Sequence, residues 1–397
     1  MAKSTVLAGL EIGTTRTVIC VGEVSKNSEL EILGVGTYPT TGVRKGKITD
    51  LTQATVSVEA AIKDAQSKLN VTIWDVTLAV SGGPIDFSVN PGIISLGDKR
   101  ITAEDVAYVT SLAKENKIPD ECELLHSFEQ QFIVDDQPGI LNPLGMQCKK
   151  LQLDMMSVYG RTNQIANLQN VAEKAQLRIQ DMAFSSVCAS MVTLTPEQRK
   201  NGVVLIELGG GSTNYIVFNN DVICAVGSIG VGGDHVTNDI ALAFNIVNAQ
   251  AEEIKRAEGS ALVDADSTGP RIQLPQEIGF NQRSISRKAL HSVINARMDE
   301  TFRVIRKMLV DSGLLPHLGG GIVLTGGGAY LNKVSELAQN VFNIPCSVAS
   351  LLPIKGVEKL ENPASFATAV GLVTFAWEGL KTSKKQGFWQ SLREVFK

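Results

Sequence analysis

The sequence predicts an α/β chain of two duplicated domains, with an α+β subdomain inserted into the first and an amphipathic helix at the C-terminus. Three observations carry that reading. An apolar strand with one acid near its end, running into a Gly/Ser/Thr hairpin, occurs twice: Leu10-Glu11-Ile12-Gly13-Thr14-Thr15 and Ile206-Glu207-Leu208-Gly209-Gly210-Gly211-Ser212-Thr213. The two copies lie about 195 residues apart, which marks an internal duplication. A third glycine cluster, Gly326-Gly327-Gly328, follows the apolar run Ile322-Val323-Leu324-Thr325. Between the two hairpins, residues 84–160 break the pattern with strands and a helix of their own.

Each element follows from local chemistry. Val6–Ile12 and Thr17–Val24 read as strands around a tight turn, with a third strand at Leu30–Thr37. Residues 51–69 carry helical periodicity through Val56, Ala60, Ile62, Ala65 and Leu69, and the strand Val76–Val80 stops at Ser81-Gly82-Gly83-Pro84. In the inserted block a helix is expected over Thr102–Lys117. There Thr102 accepts a free N–H and Asp105 favours the positive helix end. A helix at Gln164–Gln176 precedes the second set of strands, Val203–Leu208, Tyr215–Phe218 and Val222–Ile229. Gly230-Val231-Gly232-Gly233 then opens a helix from Asp234. Residues 259–280 read as a loop with a short strand. Helices are expected at Leu290–Met308, Asn332–Phe342 and Ala364–Trp377. The expected organisation is a first domain in two parts (1–83 and 161–200) around the insert (84–160), a second domain (201–378), a linker (379–386) and a terminal helix (387–397).

Bulk composition narrows the function. The chain has 397 residues, room for two to three domains of about 150 residues. With 44% hydrophobic and 20% charged residues it is an ordinary globular chain, which excludes wholesale disorder and fibrous repeats. A net charge of −4 and a pI of about 5.7 argue against a general nucleic-acid binder. The six cysteines and four histidines are scattered, so no zinc knuckle or redox pair is expected. The N-terminus does not read as a signal peptide, and no apolar run is long enough to span a bilayer, so the expected compartment is the reducing cytoplasm.

The glycines imply phosphate chemistry. A Gly/Ser/Thr hairpin aims several backbone N–H groups at one point and, lacking Cβ atoms, admits a phosphate closely. Two such hairpins facing each other can grip a polyphosphate. An acid near the end of each preceding strand can hold the waters of a bound Mg²⁺. The hydroxyls of Thr14, Thr15 and Thr213 and the cation of Arg16 add donors. The turn at 326–328 would let a base and ribose lie on bare backbone. Any one cluster alone could be only a tight turn; three together point to a nucleotide site.

The hairpins at Glu11–Thr15 and Glu207–Asn214 and the turn Val323–Gly328 resemble the two phosphate motifs and the adenosine motif of the actin–Hsp70–sugar-kinase superfamily. More closely, the chain resembles the FtsA family of bacterial cell-division proteins over essentially its whole length. Stretches such as Gly42-Val43-Arg44-Lys45-Gly46, Gly139–Gly145, Val236–Ala241 and Ala367–Leu372 carry that resemblance. It implies an actin-like ATPase fold of two ribonuclease-H-like domains, with the insert as the 1C subdomain within domain 1A and residues 201–378 as domains 2A and 2B. It implies ATP and Mg²⁺ as cofactors. Phosphates would fall on Gly13, Thr14, Thr15, Gly210, Gly211 and Ser212, near Gly232 and Gly233. Metal-bound water would fall on Glu11 and Glu207, the ribose on Glu252 and Lys255, and adenine near Gly327 and Gly328. Glu252–Lys255 reads equally well as a solvated helix face.

The chain departs from the family pattern. The first motif usually carries aspartate where Glu11 stands. The second usually begins and ends with aspartate, where this chain has Glu207 and Asn214. Hydrolytically active relatives often place a carboxylate near Phe184-Ser185-Ser186, yet no Asp or Glu lies between Asp181 and Glu197. General-base help is worth ~10²–10⁴-fold in rate. The expectation is ATP binding with weak or absent ATPase activity, unless Gln130, Gln131 or Asn163 positions the water.

The tail has its own chemistry. Residues 381–397 hold five cations against Glu394, so a tail of +4 follows a body of −8. On a helical wheel Phe388, Trp389, Leu392, Val395 and Phe396 fall within an arc of about 120°. A basic, aromatic-rich amphipathic segment suits an anionic lipid surface, although packing on the body or on a partner would also cover that face. The eight-residue spacer from Gly379 to Gln386 reaches at most ~28 Å when extended. The resemblance further implies a cytoskeletal protein that polymerises with itself and tethers FtsZ filaments, through the FtsZ C-terminal peptide, to the cytoplasmic face of the membrane at the septum, alongside other division proteins. Arg283, Arg297 and Glu300 match the peptide-binding positions, and equally read as the charged outer face of a helix. Alternatives are another membrane-linked actin-like adaptor of the pilus-assembly PilM type and a sugar-kinase-type phosphotransferase.

Overall fold

The computed structural model describes residues 5–115, 118–274 and 283–383; the expected terminal helix lies outside the described residues. Two five-stranded sheets share one strand order. In the first, Arg178–Phe184, Asp75–Val80, Thr5–Ile12, Arg16–Val24 and Leu30–Pro39 lie side by side. In the second the equivalent run is Cys346–Val348, Ile322–Thr325, Val203–Leu208, Thr213–Asn219 and Val222–Ile229. In both, the three sequential strands are antiparallel and the two later strands run parallel to the first. The duplication read from two hairpins therefore extends through whole sheets. Even the turns close alike, with Gly13 N–H on the Arg16 carbonyl at 3.1 Å and Gly209 N–H on the Ser212 carbonyl at 3.0 Å.

The strand Val203–Leu208, apolar except for Glu207, is buried at every position. Val203 and Leu205 face one core, while Val204, Ile206 and Leu208 face another. That is the pattern of a strand covered on both sides. The edge strand Arg178–Phe184 leads into the helix Ser185–Thr193, all of whose residues are buried. This helix joins the two sheets and packs on the C-terminal helix Ala367–Ser383. The contact is close at Gly371, where a Cβ would lie 2.1 Å from the Cys188 carbonyl oxygen.

The insert is a four-stranded antiparallel sheet of Ile85–Arg100, Gln147–Arg161, Cys122–Val134 and Gln137–Ile140. The helix Ala103–Lys114 covers it, and Ile94, Val109, Leu151 and Leu153 form its own small core. Thr102 and Asp105 make the expected reciprocal cap, at 3.3 and 2.9 Å.

Several ends differ from expectation. Residues Gly327–Tyr330 form a 3₁₀ turn, and the following helix starts at Val334, because Lys333 is left-handed at φ 58° and its ammonium is bound by Asp264 and Asp266. The last helix begins at Ala367, after a 3₁₀ turn at Pro363–Phe366, and runs on to Ser383. Part of the expected linker is therefore helical, and shorter in reach than an extended chain.

Candidate functional site

The two hairpins meet across the junction of the sheets. A Cβ on Gly210 would lie 2.0 Å from Thr15 Oγ1, and one on Gly211 would lie 2.3 Å from Thr14 Oγ1 and 2.7 Å from the Gly46 nitrogen. Only bare backbone permits that approach. Thr14 Oγ1 also accepts the Gly46 N–H at 2.9 Å, tying the first hairpin to the loop before the helix Leu51–Leu69. The helix Gly233–Phe244 is anchored to the second hairpin. Its Gly233 and Asp234 N–H groups donate to the carbonyls of Gly209 and Gly210 at 2.9 and 2.8 Å.

Above these turns lies a cleft of about 730 Å³. Every residue that the sequence assigns to phosphate, ribose, base or metal lines it: Glu11, Gly13, Thr14, Thr15 and Arg16 on one wall, and Glu207, Gly210, Gly211, Ser212, Gly233, Glu252, Lys255, Gly327 and Gly328 on the other. Glu252 and Lys255 do not form a solvated face. Lys255 Nζ donates to the Gly233 carbonyl at 3.1 Å and Thr237 Oγ1 at 2.8 Å, and pairs with Glu252 at 2.5 Å. Arg16 lies over the Phe366 ring at 4.3 Å and donates to the Ser365 carbonyl, so the first hairpin is held against the turn that precedes the last helix.

The two acids have diverged. Glu11 is half-buried at the cleft. Burial and the nearby Glu207 push its carboxyl up to about 7, against the pull of Arg16. Its Oε2 is buried and accepts no hydrogen bond. Glu207 is turned into the protein. Its Oε2 accepts from Ser185 Oγ at 2.7 Å, Asn214 Nδ2 at 3.1 Å and Ser186 Oγ at 3.2 Å, and its Oε1 accepts from Thr368 Oγ1. One oxygen of Glu11 is thus uncommitted, while both oxygens of Glu207 are taken by side-chain donors.

An ATP tail with Mg²⁺ fits these groups: glycine turns without side chains, the Thr14 hydroxyl, and a buried carboxylate oxygen lacking a partner. Among the described residues no cluster of three His, Cys, Asp or Glu side chains forms a direct metal site.

Other expected residues fall elsewhere. Gln130 and Gln131 belong to the inserted sheet, and Asn163 lines a separate cavity of about 260 Å³ beside Gly46 and Ser81. Arg283 donates to the carbonyls of Phe244 and Asn245 at a helix end, and Arg297 pairs with Asp239 and Glu300 at 2.6 Å each. Phe388, Trp389, Leu392, Val395 and Phe396 lie outside the described residues. Sequence reasoning missed Asp234, Arg256, Tyr330, Asn362 and Thr368, which also line the cleft. For Asp234 the preceding Gly232-Gly233 was an available signal. For Thr368, at the start of an apolar helix, there was none.

The family model described as "Cell division protein FtsA" matches residues 204–371, and "SHS2 domain inserted in FTSA" matches residues 82–159. The chain is 31% identical over 369 residues to Cell division protein FtsA of Pseudomonas aeruginosa, covering 93% of this chain and 88% of the relative. It is 32% identical over 381 residues to that of Borreliella burgdorferi, covering 95% and 92%. It is 31% identical over 379 residues to that of Escherichia coli K12, covering 94% and 90%. Among solved structures it is similar to a PilM-PilN type IV pilus biogenesis complex, with a TM-score of 0.63 at 16% identity over 93% of this chain and 97% of that one. It is also similar to MreB5 of Spiroplasma citri bound to ADP, with a TM-score of 0.58 at 15% identity over 96% and 99%. These structural likenesses establish an actin-like α/β fold.

Proposed function

We propose the following function for this chain, which belongs to the FtsA family of cell division proteins. It is an actin-like protein of bacterial division that binds ATP with Mg²⁺, assembles with copies of itself, and links FtsZ filaments to the cytoplasmic face of the membrane at the septum as a peripheral protein. The observation that carries the reading is the pair of glycine hairpins that face each other across one cleft.

The committed state of Glu207 supports slow or absent hydrolysis. A carboxylate that is to orient an attacking water needs an open lone pair, and Glu207, beside Ser185, has its oxygens filled by Ser185, Ser186, Asn214 and Thr368. The basic, aromatic tail supports the membrane link. Among the described residues no helix is long and apolar enough to cross a membrane, so attachment would fall to the segment 387–397. Arg283, Arg297 and Glu300 are the proposed contacts for the FtsZ peptide, and the forked donors of the two arginines suit its carboxylates.

The test is co-sedimentation. Full-length protein with ATP and Mg²⁺ should carry FtsZ onto anionic vesicles and should carry FtsZ lacking its C-terminal peptide far less. Recruitment of FtsZ that ignores that peptide, or none at all, would refute the tether. A pilus-assembly adaptor would leave FtsZ in the supernatant.

A further inference from the structure

Glu11 and Glu207 occupy equivalent places, two residues before Gly13 and Gly209, yet their cross-strand partners differ. Glu11 pairs with Val18, whereas Glu207 pairs with Asn214. A carboxylate offers about four acceptor sites, and four side chains donate to Glu207. Two of them, Ser185 and Ser186, begin the helix that joins the sheets, and Thr368 begins the C-terminal helix. Glu207 therefore pins the second hairpin to both helices at their junction.

The same contacts fix the orientation of Asn214. Ser185 Oγ gives its hydrogen to Glu207, so it accepts from Asn214, and the amide nitrogen donates to Ser185 Oγ at 3.0 Å and to Glu207 Oε2 at 3.1 Å. The amide oxygen is left buried and without a hydrogen bond, as is Glu11 Oε2. Both residues line the cleft, one on each hairpin. Two buried acceptors from opposite walls, with no protein donor for either, are costly unless something supplies donors or positive charge. A hydrated divalent cation supplies both.

We propose that the water shell of a nucleotide-bound Mg²⁺ is held by Glu11 Oε2 and Asn214 Oδ1, and that Glu207 is a positioning residue that clamps the second hairpin to the two helices. The inference rests on the nucleotide-binding reading above. It moves the second cation contact from the acid to the asparagine across the strand pair.

The test is a Mg²⁺ titration of the binding of a fluorescent ATP analogue to full-length protein. Glu11→Gln and Asn214→Leu should each raise the Mg²⁺ concentration for half-maximal binding by about tenfold. Glu207→Gln should lower the melting temperature and weaken the analogue overall while leaving that Mg²⁺ midpoint in place. If Glu207→Gln does not fold, the double variant Ser185→Ala/Thr368→Val loosens the same clamp without touching a charge and should behave likewise. Absence of analogue binding by the wild-type chain at any Mg²⁺ concentration would defeat the nucleotide reading itself. Wild-type binding with a Mg²⁺ midpoint moved as far by the clamp variants as by Glu11→Gln, or unmoved by Asn214→Leu, would overturn the assignment alone.

Discussion

Gly211 has space for no side chain between Thr14 and Gly46, and the atoms it would meet include backbone that cannot swing aside. A valine there should push the hairpins apart and weaken nucleotide binding by about tenfold or more, ~1.4 kcal/mol. His126 supplies a second residue-scale prediction. Its Nε2 accepts the Phe184 N–H at 2.9 Å, and its ring packs on Phe128 and Phe375. Burial pushes its pKa down to about 3. An unfolded histidine titrates near ~6.5, so between about 6.5 and 3 the unfolded chain takes up a proton that the folded chain refuses. The contribution is intact above that window and is lost as pH falls through it, at up to ~1.4 kcal/mol per pH unit. Chemical denaturation from pH 7 to 4 should show a steeper loss of stability for the wild type than for His126→Gln. Parallel curves would show that His126 does not refuse the proton. The raised pKa of Glu11 acts with the opposite sign, its stability cost growing as pH rises through about 7, and it cancels in that comparison.

Among the elements, those with one dominant local signal were readable from sequence. The two hairpins were legible because glycine, serine and threonine cluster at the turn after a largely apolar strand with one acid near its end. The capped helix of the insert was legible through Thr102 and Asp105. The helix Ser185–Thr193 was not, because it is buried all round and built of small residues, so it has no polar face to set a period. Its role became visible only through contacts far along the chain, Cys188 to Gly371 and Ser185 to Glu207. The same holds for Glu252 and Lys255, whose spacing fits a solvated face and whose setting is a cleft wall. At this scale the prediction concerns Gly371. Replacing it with leucine inserts bulk where a Cβ alone would lie 2.1 Å from a carbonyl oxygen, and overpacking of this kind costs ~1–3 kcal/mol or more. A lowered thermal midpoint, with both helices forced apart, is the expected result; an unchanged midpoint would mean that the helices are not held at this distance.

For the whole molecule, the duplicated sheets place one hairpin from each half on the same cleft, and the C-terminal helix returns across the first sheet toward the basic tail. The fold and the hairpin part of the cleft lining were readable because both depend on repeated local motifs. The committed state of Glu207 was not, since it depends on four donors, from residues as distant as Thr368. The tail was read from its own amphipathic pattern, and its prediction stands on that pattern: Trp389→Glu should release the protein from anionic vesicles. Persistent co-sedimentation of that variant would place the anchor elsewhere. The central claim, that two facing hairpins grip one nucleotide, meets its most direct test in calorimetric titration of the full chain with ATP in excess Mg²⁺. The account predicts saturable heat with one nucleotide per chain, lost in a folded Gly211→Val variant. A wild-type chain that gives no heat, or a variant that binds as the wild type does, would contradict it.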